Sequence, residues 1–585
     1  MRLPTDLLAK ARAWADADPD VESRAELEAL IAEANEAELA DRFAMRLEFG
    51  TAGLRGVIGA GPNRMNRAVV IMTSYGLGQW LKARMTPEAL ANGVVVGHDA
   101  RRMSRAFAED TAAVLAAMGI RAHLFDTCQP TPLVAFAAAE LGAAAAVVVT
   151  ASHNPPEYNG YKLYGPTASQ IVSPIDQEVE SLIEKAPAPN AIARMDLGEA
   201  RRLGLVRDVP SAVERAYLDR VRELAPGTSP RDFSIVYTPL HGVGGALTTK
   251  ALAEAGFGRV FPVAEQMTPD GRFPTVAFPN PEEKGAMDLA LALAKQESAE
   301  LVLANDPDAD RLAVAVRGGD GEYVQLTGNQ VGVLLGHHLL TRAKAAGLPM
   351  GAQLVITTVV STPMLSVMAA RFGARYDETL TGFKWIAARA LALAASDQTR
   401  FVFGFEEALG YTVGTLVRDK DGVAAATVFA DMVAELRAQG RSVLDQLDAL
   451  AREYGLFVSE QVNVTKKGAD GAAAIKAIMT GLRKKAPSRL GPFGLTALRD
   501  YEAKTRTDQS SGTVTPLTLP ASNVLTFELE GGSRVIARPS GTKPKIKFYF
   551  DVCETVRPGE AIDAARSRAK ATLTAVRDDF IRAVS

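Results

Sequence analysis

The richest chemistry in the sequence lies in three carboxylates at alternate positions, Asp306, Asp308 and Asp310, followed at once by Arg311. Alternate residues of an extended stretch share a face, so the three side chains are expected to converge. Packed without a cation they would repel and raise one another's pKa. A hard divalent ion resolves the conflict, and oxygen-only ligands favour Mg2+ or Mn2+ over Zn2+. The stretch lacks the sixth-position glycine and twelfth-position glutamate of a helix–loop–helix calcium site. A second stretch offers a reacting group. Valines 147–149 run into Thr150-Ala151-Ser152-His153-Asn154-Pro155-Pro156. This reads as a buried strand that delivers Ser152 to the loop at its carboxyl end, where open α/β sheets bind ligands. A divalent ion beside a serine and cationic loops points to phosphoryl transfer, in which catalysis is mostly positioning and charge neutralisation. Ser152 is then the phosphoryl carrier, and its phosphate completes the metal shell of Asp306, Asp308 and Asp310. Lys162 and His153 are candidates for proton transfer, and Arg311 balances the acidic cluster or contacts the moving group. The plainer alternatives are a solvated acidic turn and a serine that only caps a proline turn.

Other loops carry groups suited to binding. Residues 48–56 place three glycines around Arg55, a candidate anion contact. Residues 538–545 gather three cations and two hydroxyls about one glycine, a composition that suits phosphate. Glu406 and Glu407 are adjacent, unlike the paired carboxylates of a glycosidase, and fit hydrogen bonding to substrate hydroxyls. The glycine-rich loop 238–245 is weak evidence for phosphate binding.

These loops need a scaffold, and the sequence supplies one. Residues 5–48 have helical apolar spacing. From residue 94 onwards strands alternate with helices: strands near 94–97, 121–125, 147–149, 234–237, 301–304, 312–316, 354–360 and 401–403, with helices near 104–118, 132–141, 247–255 and 364–372. Such alternation predicts a mostly parallel α/β sheet. Asn159-Gly160 is expected to form a tight turn that returns Lys162 to Ser152. After a helix over 442–454, short alternating strands at 456–464, 524–529, 534–538 and 545–550 predict an α+β domain on an antiparallel sheet. Residues 486–520, rich in Pro, Ser, Thr and charge, are expected to form a loop or linker.

With 585 residues, the chain is long enough for about four domains. Their expected spans are 1–208, 209–322, 323–453 and 454–585. A net charge of −3 gives no electrostatic case for nucleic acid or an anionic membrane as partner. Two distant cysteines, Cys128 and Cys553, suit a reduced, cytoplasmic setting. The first twenty residues lack the apolar core of a signal peptide.

Taken together, TASHNP (150–155), DPDADR (306–311), GFEEALG (404–410) and RPSGTKPK (538–545) resemble the α-D-phosphohexomutase superfamily. EFGTAGLRG (48–56), TPLHGVGG (238–245) and TGFKW (381–385) extend the likeness to the phosphoglucomutase/phosphopentomutase-like branch. The resemblance implies three α/β domains with mixed sheets and a C-terminal α+β domain around a central cleft. It implies a phosphoserine at Ser152, Mg2+ held by that phosphate and the three aspartates, Lys162 as general base and Arg55 at the reacting phosphate. Glu406 and Glu407 would read the sugar, and Gly382, Lys384 and Lys420 match substrate-side positions. Arg538, Ser540, Gly541 and Thr542 would hold the non-reacting phosphate. The implied activity is interconversion of glucose 1-phosphate and glucose 6-phosphate through glucose 1,6-bisphosphate, by a monomer acting on small sugar phosphates. Ala408 stands where phosphoglucomutases with GEESFG have serine, which leaves phosphopentomutase or phosphomannomutase activity as alternatives. A non-catalytic sugar-phosphate sensor is the alternative of another class.

Overall fold

The computed structural model describes residues 4–48, 53–466, 471–540 and 545–584. They form two compact units. One comprises Met1–Gly328, Gly382–Ala392 and Ala408–Ala438, and the other Asn329–Thr381, Leu393–Glu407 and Gln439–Ser585.

In the first unit the expected N-terminal helical region is three helices, Thr5–Ala17, Val21–Ala32 and Glu36–Phe43, packed through Ala11, Leu27 and Leu39. A six-stranded sheet follows, built from β1 (Leu54–Val57), β2 (Val94–His98), β3 (Ala122–Leu124), β4 (Ala145–Val149), β5 (Tyr158–Tyr164) and β6 (Val206–Asp208), in the order β1-β5-β4-β2-β3-β6. Strands β4, β2, β3 and β6 run parallel. Every residue of β4 is buried: Val147 and Val149 join one apolar cluster, Ala146 and Val148 another. A strand covered on both faces reads as a continuous apolar run, which is why the approach to Ser152 was legible.

The Asn159-Gly160 turn is not formed. Both residues lie within β5, which runs antiparallel to β4. A Cβ on Gly160 would stand 2.6 Å from the Thr150 carbonyl oxygen and 2.7 Å from that of Leu54. The glycine therefore serves close backbone approach rather than a turn. The Asn159 side chain is buried, donating to the Arg102 carbonyl and to Ser104 Oγ.

The second sheet of this unit contains β7 (Ile235–Thr238), β8 (Val260–Pro262), β9 (Leu301–Asn305), β10 (Leu312–Arg317) and β11 (Tyr323–Gln325), in the order β11-β10-β9-β7-β8. Strands β9 and β10 are an antiparallel pair, with Asn305 opposite Leu312. The acidic stretch is the loop that joins them. It is not extended: Ala309 is left-handed with φ 56°, and its N–H donates to the Asp306 carbonyl at 2.8 Å. The carboxylates converge because the chain turns back on itself, not because alternate residues share a face.

The second unit holds β12 (Gln353–Thr358), β13 (Arg375–Thr379) and β14 (Arg400–Glu406), with β12 parallel to both neighbours. Strand β14 extends through Gly404, Phe405 and Glu406, so Glu406 lies at a strand end. The chain returns to the first unit as β15 (Gly410–Val413) and the helix Gly422–Ala438. That helix is buried almost all round, as its apolar composition requires.

The C-terminal sheet, in the second unit, is antiparallel. It comprises β16 (Leu456–Thr465), β17 (Arg489–Leu490), β18 (Phe493–Asp500), β19 (Thr505–Asp508), β20 (Val514–Pro516), β21 (Leu525–Leu529), β22 (Arg534–Pro539) and β23 (Lys545–Glu554). The order is β16-β23-β22-β21-β18-β19-β20, with β17 beside β18. The helix Ile562–Val584 packs on it, placing Phe580 5.3–5.9 Å from the rings of Phe527, Phe548 and Phe550. The expected linker over 486–520 instead contains β17 to β20. Strand β20 at the sheet edge is wholly exposed, so its polar composition reflects solvent on both faces rather than absence of a strand.

Candidate active site

In the first unit Ser152 follows β4 and is held in the left-handed region, φ 52°, a conformation that non-glycine residues rarely adopt. Two contacts explain how it stays there. Its N–H donates to Thr150 Oγ1 at 2.8 Å. The buried guanidinium of Arg101 donates to the carbonyls of Ser152 (2.6 Å), Asn154, Pro155 (2.7 Å) and Tyr158 (3.1 Å). Asp99 lies 3.2 Å from Arg101 Nε, and the Phe273 ring covers the cation at 4.9 Å. Arg101 escaped the sequence reading, although an arginine just past the carboxyl end of β2 was the available signal.

The loop brings Ser152 to the aspartates. Its hydroxyl donates to Asp306 Oδ2 at 2.8 Å, and His153 Nδ1 lies 3.1 Å from the same Oγ. Ligand oxygens of Asp306, Asp308 and Asp310 all lie within 4.8 Å of one another, and all three residues are buried. Their outer oxygens are taken. Lys162 Nζ donates to Asp308 Oδ2 at 2.6 Å and Asp310 Oδ2 at 2.7 Å. Thr131 Oγ1 donates to Asp308 Oδ2 at 2.6 Å, and Lys420 Nζ lies 3.0 Å from Asp310 Oδ2. The inner oxygens, Asp308 Oδ1 and Asp310 Oδ1, are buried without a hydrogen-bond partner among the described residues. Buried orphan carboxylate oxygens are costly. An all-oxygen donor set of this kind fits a hard divalent cation, which Asp306, Asp308 and Asp310 could hold.

The charges follow from this packing. Burial and the charges of Asp308 and Asp310 push Asp306 well above the usual carboxylate range. Burial acts the same way on Asp310, but Lys162, Lys420 and Arg311 outweigh it and hold that carboxyl down. Burial would lower Lys162, but Asp308 and Asp310 raise it on balance, so it is an ammonium. Burial, then Arg311 and Arg55, keep His153 neutral. Arg311 Nε stands 3.9–4.0 Å from Asp310 and Asp306. Arg55 Nη1 reaches Asn154 Oδ1 at 3.4 Å, while its Nε is buried without a hydrogen-bond partner among the described residues. Burial lowers its pKa, so a nearby anion would relieve it.

The glycine-rich loop 238–245 cradles the acidic turn rather than offering an open phosphate site. A Cβ on Gly242 would lie 2.4 Å from Pro307 Cα, and one on Gly244 2.8 Å from Ala309 Cβ. Val243 N–H donates to the Pro307 carbonyl at 2.8 Å. On the other side Gly422 is equally tight: its Cβ would meet the Arg311 carbonyl oxygen at 2.3 Å. Asn305 Nδ2 donates to that carbonyl at 2.7 Å while its Oδ1 accepts from Tyr237 and Thr248.

The sequence matches the family description "phosphoglucomutase/phosphomannomutase, alpha/beta/alpha domain I" over residues 46–189, domain II over 215–319 and domain III over 327–454. The chain belongs to the phosphoglucomutase/phosphomannomutase family. It is an enzyme of the phosphohexomutase type, and the expected three α/β domains with a further C-terminal β-rich domain are present. Relatives of this phosphoglucomutase/phosphomannomutase family member carry different names. A probable phosphomannomutase of Haemophilus influenzae is 41% identical over 83% of this chain and 93% of its own. A probable phosphoribomutase of Schizosaccharomyces pombe is 38% identical over 92% of each. A phosphoglucomutase of Staphylococcus epidermidis is 35% identical over 86% of this chain and 90% of its own. The crystal structure of a phosphoglucomutase/phosphomannomutase family protein from Burkholderia thailandensis shares the fold, with TM-score 0.66 at 20% identity over 92% of this chain and 98% of that one.

The remaining expected residues of this phosphohexomutase lie apart from the Ser152 cluster in sequence. In the first unit Gly382 has φ 121°, and Lys384 is buried 3.6 Å from Asp176 and over the Trp385 ring. In the second unit Glu407 Oε2 accepts from Ser361 Oγ at 3.2 Å and Thr358 Oγ1 at 3.4 Å. Burial, then the charge of Glu406, pushes Glu407 up to about 7. Arg534 of β22 donates to the Ser361 carbonyl and, at 2.8 Å, to Asp551. Arg538 lies near the end of the same strand, and Ser540 N–H donates to the Lys545 carbonyl at 2.7 Å. Gly541 and Thr542 lie outside the described residues. Among the described residues no helix is long and apolar enough to cross a membrane.

Proposed function

We propose that this enzyme interconverts glucose 1-phosphate and glucose 6-phosphate through a phosphoserine at Ser152 and a glucose 1,6-bisphosphate intermediate. The observation that carries the reading is Ser152 Oγ, 2.8 Å from Asp306 in a buried triad with two orphan carboxylate oxygens. In the first half-reaction the bond from Ser152 Oγ to phosphorus breaks as the bond from phosphorus to a sugar hydroxyl oxygen forms. The hydroxyl proton goes to His153, which is neutral, and the Lys162 ammonium gives a proton to the departing serine oxygen, leaving Lys162 as the base for Ser152 in the second half-reaction. The second half-reaction runs in reverse from the other phosphate of the bisphosphate, so turnover needs glucose 1,6-bisphosphate for priming. Arg55 and Arg311 supply positive charge where the transferring group carries its negative charge. Mg2+, held by the three aspartates, would supply further charge neutralisation at the phosphate oxygens. Glu406, Glu407, Gly382, Lys384 and Lys420 are assigned to the sugar side, and Arg538, Ser540, Gly541 and Thr542 to the distal phosphate. The spans 1–208, 209–322, 323–453 and 454–585 are the proposed domains of a cytoplasmic monomer.

A second reading, pentose or mannose phosphate as preferred substrate, is favoured by the names of the two relatives at 38% and 41% identity. Ala408 supports it, because the alanine offers no hydroxyl to a sugar. Comparing kcat/KM for glucose 1-phosphate, mannose 1-phosphate and ribose 1-phosphate, with Mg2+ and bisphosphate present, decides between them. The glucose reading predicts the highest value for glucose 1-phosphate, and a tenfold preference for either other sugar overturns it.

A further inference from the structure

Lys420 follows an aspartate that no expectation from the sequence used. Asp419 is 1% exposed, and each of its oxygens is committed. Oδ1 accepts the Lys420 N–H at 2.8 Å and lies 3.4 Å from Lys420 Nζ. Oδ2 accepts two 2.6 Å hydrogen bonds, from the Tyr164 hydroxyl and from Gln170 Nε2. Burial and the charge of Asp419 hold the Tyr164 phenol well above its ordinary range, so it stays a donor. Lys420 Nζ therefore sits between Asp419 Oδ1 and Asp310 Oδ2, with the Phe383 ring 5.6 Å away. Tyr164 is two residues beyond Lys162 on β5, so both side chains point from one face of one strand. That face reaches Asp310 twice: directly through Lys162, and through Tyr164, Asp419 and Lys420.

We propose that Asp419, oriented by Tyr164 and Gln170, is a positioning residue that fixes the Lys420 ammonium on Asp310 Oδ2 and so leaves Asp310 Oδ1 for the metal. The inference rests on the reading of Asp306, Asp308 and Asp310 as metal ligands. Two ammonium groups on one oxygen leave the other oxygen as the acceptor for a cation. Without the Asp419 charge, Lys420 loses the carboxylate contact that opposes Asp310 and can swing to the inner oxygen, where it competes with the metal. Groups that orient metal ligands from outside the coordination shell typically change affinity by about 10–100-fold when removed.

The test uses the full-length enzyme and Mn2+ as probe, with Kd read by electron paramagnetic resonance of free Mn2+. Asp419→Asn should weaken Mn2+ by about tenfold and lower kcat far more than it raises KM for the sugar phosphate. Tyr164→Phe should act in the same direction by a smaller factor, and stands in should Asp419→Asn not fold. In a Lys420→Ala background Asp419→Asn should change Mn2+ affinity by less than twofold, because its effect runs through the lysine. An equal loss in both backgrounds, or unchanged affinity in both single variants, overturns the proposal. Asp308→Ala separates the two claims. If it leaves Mn2+ binding intact, the metal-site reading itself fails. If it abolishes binding while Asp419→Asn and Tyr164→Phe do nothing, only the positioning role fails.

Discussion

Replacing Gly422 with alanine perturbs the acidic turn without touching a charged group. The Cβ would meet the Arg311 carbonyl oxygen at 2.3 Å, Asn305 Nδ2 at 2.6 Å and the Ala309 carbonyl oxygen at 2.8 Å. Real Cβ contacts essentially never fall below 3.0 Å, so the Arg311 carbonyl must retreat by about 0.7 Å or the helix Gly422–Ala438 must shift instead. That helix is locked at its start by the Asp421 carboxylate, which accepts N–H groups from Val423 and Ala424, and it is buried almost all round. The acidic turn therefore takes most of the displacement. Overpacking of this kind costs about 1–3 kcal/mol, offset by up to about 1 kcal/mol from the better helix propensity of alanine. For catalysis the displacement matters more: a misplacement near 1 Å costs about 100-fold in rate, and Mg2+ demands near-ideal octahedral geometry. Gly422→Ala should lower kcat by roughly 10–100-fold, weaken Mg2+ activation and lower Tm by a few degrees. Gly481→Ala is the control, since a Cβ there meets nothing within 4 Å. Steady-state kinetics across a Mg2+ titration, with Tm by calorimetry, reads all three effects. Wild-type kcat and Mg2+ dependence in Gly422→Ala would refute the claim that the turn's exact placement positions the metal ligands.

Two further outcomes follow from the same structure. Glu407, raised from 4.5 to about 7, binds a proton in the native chain that the unfolded chain has released between those values. Stability contributed by its neutral form is thus lost as pH rises through that window, reaching at most roughly 3 kcal/mol above pH 7. Glu407→Gln should leave Tm near wild type at pH 5 and raise it at pH 8, and a difference independent of pH contradicts the assignment. Arg101→Lys keeps the charge but cannot span the four carbonyls that the guanidinium fork serves. It should lose about 2–4 kcal/mol in denaturant unfolding and reduce phosphoryl transfer, whereas wild-type stability would mean that the Ser152 loop holds itself.

The sequence revealed the site through residues whose types are unusual where they stand. Ser152 after five buried strand residues and three aspartates in five positions could be recognised because burial and charge both leave local patterns. The geometry was less legible. Spacing suggested an extended acidic face, yet a left-handed Ala309 builds the convergence by a turn. Asn159-Gly160 carried a turn signal, but the glycine answers to backbones at Thr150 and Leu54 that are remote in sequence or set by sheet order. Arg101, Thr131 and Asp419 went unnoticed because their partners, at Tyr158, Asp308 and Tyr164, come together only through tertiary packing. Strands β17 to β20 were read as linker because β18 and β19 are mostly half-buried and the edge strand β20 is exposed, so that none of them needs a strong apolar alternation.

Transfer of the phosphoryl group through Ser152 is read most directly by isotope labelling. Glucose 1,6-bisphosphate labelled with 32P at either phosphate, incubated with the enzyme and Mg2+, should transfer label to the protein. Peptide mapping should place it on Ser152, with one added phosphate by intact mass and none in Ser152→Ala. Label on another residue, or an unlabelled protein that still turns over substrate, would contradict the account.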